Sequence, residues 1–87
     1  MSGSEAEFGL LAWIGGLRHR LGSGELAGLG PIDVGYGPVE AERLVRIMLA
    51  DLDHYGHLSA SEREQPDTRG RRRQLLEDFR TLRDRIG

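Results

Sequence analysis

The stretch Val39–Leu58, VEAERLVRIMLADLDHYGHL, decides how this chain folds. Ala41, Leu44, Met48, Leu52 and Tyr55 recur three or four residues apart and so share one face of a helix. Val45 and Leu49 widen that face on one side, Ile47 and Leu58 on the other. One neighbour covers only a narrow stripe, so an apolar arc this broad suits a helix touched by two partners. Met48 and Leu52 stand at its centre. Gly37-Pro38 opens the segment, with Pro38 expected at the first helical position and Glu40 and Glu42 in the first turn, where the helix dipole favours negative charge.

Both partners are available in the flanking sequence. On the N-terminal side, Ser4-Glu5-Ala6-Glu7 has the capping-box pattern, and Leu10, Ile14, Leu17 and Leu21 then form a seam flanked by Leu11 and Trp13. Gly9, Gly15 and Gly16 interrupt it, each costing up to about 1 kcal/mol relative to Ala in a helix interior. A helix is expected over residues 5–21. On the C-terminal side, Leu75, Phe79, Leu82 and Ile86 repeat the same spacing beside Leu76, which predicts a helix over 68–86 with Gly70 as an early weak point. Before it, Ser59 and Ser61 each precede a Glu by three residues, the mark of a short capped turn. Gln65-Pro66 then breaks the chain, because Pro pushes the residue before it out of helical geometry.

The connection Gly22–Gly37, GSGELAGLGPIDVGYG, holds six Gly. Long connections without regular structure are uncommon inside compact domains. Its Leu26, Leu29, Ile32, Val34 and Tyr36 suit packing on the helices, so an ordered wrap is expected, with a helical turn near 25–29 and an extended segment near 32–36.

Composition narrows the function. At 87 residues the chain makes one domain with a thin core, for which association is a common remedy. The absence of Cys excludes disulfides and thiolate metal sites. No apolar run reaches the ~18 residues of a membrane span, and Glu5 and Glu7 without an early basic residue make a secretory signal unexpected, so the cytoplasm is the expected location. All twelve basic residues are Arg; Lys and Asn, both with AT-rich codons, are absent, which points to genome composition more than to selection for Arg. The net charge of −2 conceals a split: residues 67–87 carry +3 and the rest −5. Opposite halves can attract within a chain or orient copies head to tail.

Each possible functional motif has a plainer reading. Gly22-Ser23-Gly24 and Gly28-Leu29-Gly30 follow a helix, whereas a phosphate-cradling loop follows a strand and opens a helix; turn formation is the better reading. Asp51 and His54, or Asp53 and His57, have a spacing that could share a metal ion, yet they project away from the apolar face and suit a solvated surface with His near the helix C-terminus. Arg69, Arg71, Arg72 and Arg73 could contact phosphates through bidentate guanidinium forks. Net acidity and the lack of interleaved aromatics oppose that reading, and the breaker-rich connections exclude a helix-turn-helix. No nucleophile, base and acid share a catalytic spacing. Phe8 lies off the first seam and is expected at the surface. Trp13 is expected to lean into the core, or to form an aromatic anchor together with Phe8.

These readings combine into an all-α, three-helix domain over residues 1–87 with a glycine-rich wrap between its first two helices. The expected function is a non-enzymatic protein–protein interaction module, an accessory or self-associating subunit, or a small inhibitor or adaptor, without cofactor or metal. Phe8, Trp13, Ile47 and Leu58 are its candidate contact residues. The alternative is a nucleic-acid-binding regulator using Arg69, Arg71, Arg72 and Arg73.

Overall fold

A computed structural model describes residues 2–87, with side chains described from residue 7 onward. The chain forms α1 (Ser2–Gly22), a 3₁₀ turn (Glu25–Gly28), β1 (Pro31–Ile32), β2 (Val39–Glu40), α2 (Ala41–Gly56), α3 (Ala60–Glu64) and α4 (Pro66–Ile86). It is mostly helical, at 77%. The three expected helices are present with shifted ends, and a fourth helix and a two-stranded ladder join them. The first helix does not start at a Ser4 cap: Ser4 lies inside α1, which already begins at Ser2.

The main correction concerns the start of α2. Val39 and Glu40 are strand rather than helix, paired antiparallel with Ile32 and Pro31, and Pro38 lies before the ladder, not at the first helical position. The reason is local. Asp33 Oδ1 accepts hydrogen bonds from the amides of Gly35 (2.7 Å) and Gly37 (3.1 Å), a side-chain-stabilised turn. Gly35 (φ +122°) and Gly37 (φ +94°) adopt backbone angles that other residues avoid. The chain therefore reverses and brings 39–40 alongside 31–32. The Ala41 amide donates to the Gly30 carbonyl (3.1 Å), and the helix begins there.

Further on, Ser59 caps α3 as its sequence suggests: its side chain accepts from the Glu62 amide, while the Glu62 carboxylate accepts from the Ser59 amide. Gln65, extended at ψ 136°, then starts α4 with Pro66 in its first turn.

Among the described residues, fifteen buried apolar side chains form one core cluster. Leu10, Ile14 and Leu17 come from α1; Ala41, Leu44, Val45, Met48 and Leu49 from α2; and Leu75, Leu76, Phe79 and Leu82 from α4. Leu26, Ile32 and Val34 come from the connection, whereas Leu29 and Tyr36 are exposed. Helix α2 touches α1, α4, the 3₁₀ turn and both strands. Its buried face is centred one turn earlier than its periodicity implies. Val45 is fully buried, while Leu52 and Tyr55 are only partly covered, because a cleft of about 230 Å³ opens beside them against Thr68 and Arg72 of α4.

Polar contacts set the helix directions. Glu7 meets Arg72 near the starts of α1 and α4 (3.1 Å), and Arg20 reaches the Gly87 carbonyl near their ends (3.0 Å), so these helices run side by side in the same sense. Arg18 holds Asp53 through two hydrogen bonds (2.6 and 3.2 Å), and Leu21 and Leu49 line the same cleft, so α2 runs the opposite way. Among the described residues, no helix is long and apolar enough to cross a membrane.

Candidate interaction face

The seam Leu10–Ile14–Leu17 turns one side of α1 inward and thereby fixes what the other side presents. Phe8, Leu11, Ala12, Gly15 and Gly16 all lie outward and exposed; Phe8 retains 76% of its accessible surface. From Phe8 to Leu17 the sequence FGLLAWIGGL contains no charge. Outward faces of surface helices are ordinarily polar. This one is hydrocarbon and bare backbone.

The glycines sharpen the point. A Cβ placed on Gly9, Gly15 or Gly16 would meet nothing within 4 Å. Packing within the chain therefore requires glycine at none of them, although each weakens the helix by about 1 kcal/mol relative to Ala. What they do provide is a low, flat surface on which another backbone can approach closely.

The four residues expected to contact a partner are not brought together. Phe8 is exposed, but Trp13 packs partly against the core. Residues five apart on a helix lie roughly 140° around it, so the two cannot form a joint anchor. Ile47 is 48% exposed on α2. It stands roughly 120° around that helix from Asp53, the residue α1 holds, and so belongs to a separate surface. Leu58 is half-buried in a cleft of about 180 Å³ with Tyr55, Glu62 and Arg71. Leu11 and the Ala12/Gly15/Gly16 strip are missed by periodicity, which treats them only as flanks of the seam or breaks in it. The signal that marks them is the uncharged run itself.

The arginine run divides. Arg69, Arg72 and Arg73 join Arg80 along a cleft of about 370 Å³ shared with Glu7, Leu76 and Glu77, whereas Arg71 lines the Leu58 cleft. Glu7 engages Arg72 and Glu77 engages Arg80, so carboxylates offset half the positive charge of the larger cleft.

At the end of α2, Asp51, Asp53, His54 and His57 are all exposed. Asp53 is committed to Arg18, whose hydrogen bond holds its carboxyl below the ordinary value. His54 packs edge-on to Tyr55. Among the described residues, no three His, Asp or Glu side chains converge as metal ligands would. Elsewhere, the Tyr36 hydroxyl donates to Asp78 (2.9 Å), which raises the phenol pKa and ties the connection to α4.

Comparison of the chain with protein-family models, curated proteins and solved structures finds no match.

Proposed function

We propose that the chain is a single non-enzymatic helical domain, its glycine-rich connection wrapping the helices, that works in the cytoplasm as a protein–protein interaction module. The observation that carries this reading is the outward face of α1: an exposed Phe8 and Leu11 beside small residues that nothing within the chain requires. An aromatic anchor bordered by flat, desolvatable surface is what an interface core needs. A photo-crosslinking residue placed at position 8 in cells of the source organism tests it, with exposed Asp84 as the control site. A discrete protein adduct at 8 and none at 84 is expected; no adduct at 8 overturns the reading.

A second reading is a nucleic-acid-binding regulator using Arg69, Arg71, Arg72 and Arg73. It is favoured by the gathering of three of these with Arg80 in one cleft and opposed by the two carboxylates there. It requires oligonucleotide affinity that falls steeply with salt. Fluorescence anisotropy across a salt series, comparing the native chain with Arg69→Ala/Arg73→Ala, distinguishes the two.

A further inference from the structure

We propose that the arginine-lined cleft of α4 binds a phosphate monoester dianion. The inference stands apart from the α1 face, and it takes up arginines of the nucleic-acid reading with a different ligand.

Helical spacing builds the cleft. Arg69, Arg73 and Arg80 follow one another at intervals of four and seven residues, and Arg72 stands beside them, so all four guanidinium groups reach the same side of α4. Leu76, 5% exposed, lies among them. Its hydrocarbon lowers the dielectric of the floor, which concentrates the field of the arginines. Glu7 and Glu77 complete the lining, and four guanidinium groups against two carboxylates leave +2. This charge collects on a chain whose net charge is −2.

The arginines divide into two pairs. Arg72 is bonded to Glu7 and Arg80 to Glu77, which holds those two guanidinium groups in place. Arg69 and Arg73 make no ion pair among the described residues. Both are exposed, and they stand one turn apart, the spacing at which side chains on a helix meet. Two planar forks so placed suit a single group with several acceptor oxygens.

A phosphate monoester fits in charge, shape and size. It carries about −1.5 to −2 at pH 7 with three acceptor oxygens, so it neutralises the cleft and serves both forks. A phosphodiester has one charge fewer and one terminal oxygen fewer. A continuous nucleic-acid backbone would also have to pass Glu7 and Glu77. The cleft holds about 370 Å³, at the small end of the roughly 300–1,000 Å³ of ligand sites, room for a phosphorylated head group rather than a strand.

Nuclear magnetic resonance of the nitrogen-15-labelled full chain, titrated at low salt, tests this. Methyl phosphate should shift the Arg69 and Arg73 side-chain N–H signals saturably. Dimethyl phosphate should bind about tenfold more weakly, the loss of one charge-assisted hydrogen bond. Arg69→Gln/Arg73→Gln should weaken methyl phosphate binding at least about tenfold with the helical circular dichroism unchanged, since both residues are exposed. Arg43→Gln/Arg85→Gln, which removes the same charge outside the cleft, should leave binding within about twofold, as screened distant charges do. Glu77→Gln should tighten it by up to about fivefold, because a competing carboxylate at the surface is gone. A phosphoserine in a capped pentapeptide distinguishes the sources: tighter binding than methyl phosphate assigns the ester to a phosphorylated protein, and equal or weaker binding assigns it to a small molecule. Equal affinity for the two methyl esters, or an equal loss in both double variants, would overturn the site and leave only a diffuse ion atmosphere. A DNA oligonucleotide with 5′-hydroxyl ends that binds the cleft more tightly per phosphate than methyl phosphate would overturn the monoester in favour of nucleic acid. Neither result touches the interaction reading, which stands or falls on the adduct at position 8.

Discussion

Helices α1 and α4 make an instructive pair. Each is 21 residues long, each has an apolar seam with the same spacing, and they run side by side in one sense. Their inner faces do the same job: Leu10 and Leu17 on one, Phe79 and Leu82 on the other, all essentially without solvent contact. Their outer faces are opposites. α4 exposes Arg, Asp, Glu and Gln along its length, while the middle of α1 exposes Phe8, Leu11, Ala12 and glycine. A shared seam makes two helices equivalent for folding. The outer face is where they part: α4 presents charged side chains there, and the middle of α1 presents hydrocarbon and glycine.

The largest expected effects test the equivalence of the inner faces. Phe79→Ala should cost about 3–5 kcal/mol and Leu10→Ala about 2–5 kcal/mol, losses comparable to the whole stability of a small domain. Urea denaturation should show the two variants similarly crippled; a mild effect at Leu10 alone would mean that α1 is an appendage rather than a full part of the core.

A smaller difference is expected within α2. Met48→Ala should destabilise clearly more than Leu52→Ala, because Met48 is 5% exposed whereas Leu52 borders the open cleft, and truncation costs most where the side chain is fully packed. Equal midpoint shifts in the same denaturation experiment would mean that the cleft closes in solution.

The outer face of α1 yields a prediction of opposite sign. Gly15→Ala and Gly16→Ala should each stabilise by up to about 1 kcal/mol, since the added methyl groups meet open space. Thermal melts that fall instead would show that these glycines serve the fold, and the contrast with α4 would lose its meaning.

The smallest effect concerns the link between α1 and α2. Hydrogen bonding from Arg18 lowers the Asp53 pKa. A depressed carboxyl contributes stability above its unfolded pKa and loses it as pH falls through the folded value. The Arg18–Asp53 contribution is therefore present at neutral pH and begins to fade only below about pH 4, the ordinary aspartate value, being lost as the pH falls through the lowered folded value. Both side chains are about half exposed, at 43% and 53%, so water and salt screen the pair and the effect is small. Asp53→Asn should lower stability slightly at pH 7, by a margin that narrows as the pH falls below the ordinary aspartate range; a deficit that does not narrow in acid would mean the aspartate acts through something other than its charge.

What the amino-acid order determined by itself was local. The seams of α1 and α4, the apolar arc of α2, the Ser59 cap and the break at Pro66 are visible because helical periodicity and capping involve residues three or four apart, and no distant part of the chain is needed to express them. Exposure of Phe8 and Ile47 followed from the same arithmetic. Tertiary structure decided whatever depends on what arrives from elsewhere. Val39 and Glu40 became strand because the turn at Asp33 delivered Pro31 and Ile32 to pair with them. Leu52 lost its central place because α4 leaves a cleft beside it. The arginines were sorted by which side of α4 faces Glu7. Periodicity names the face a residue shares; only the packed chain says what covers that face, because coverage is a property of neighbours far away in sequence.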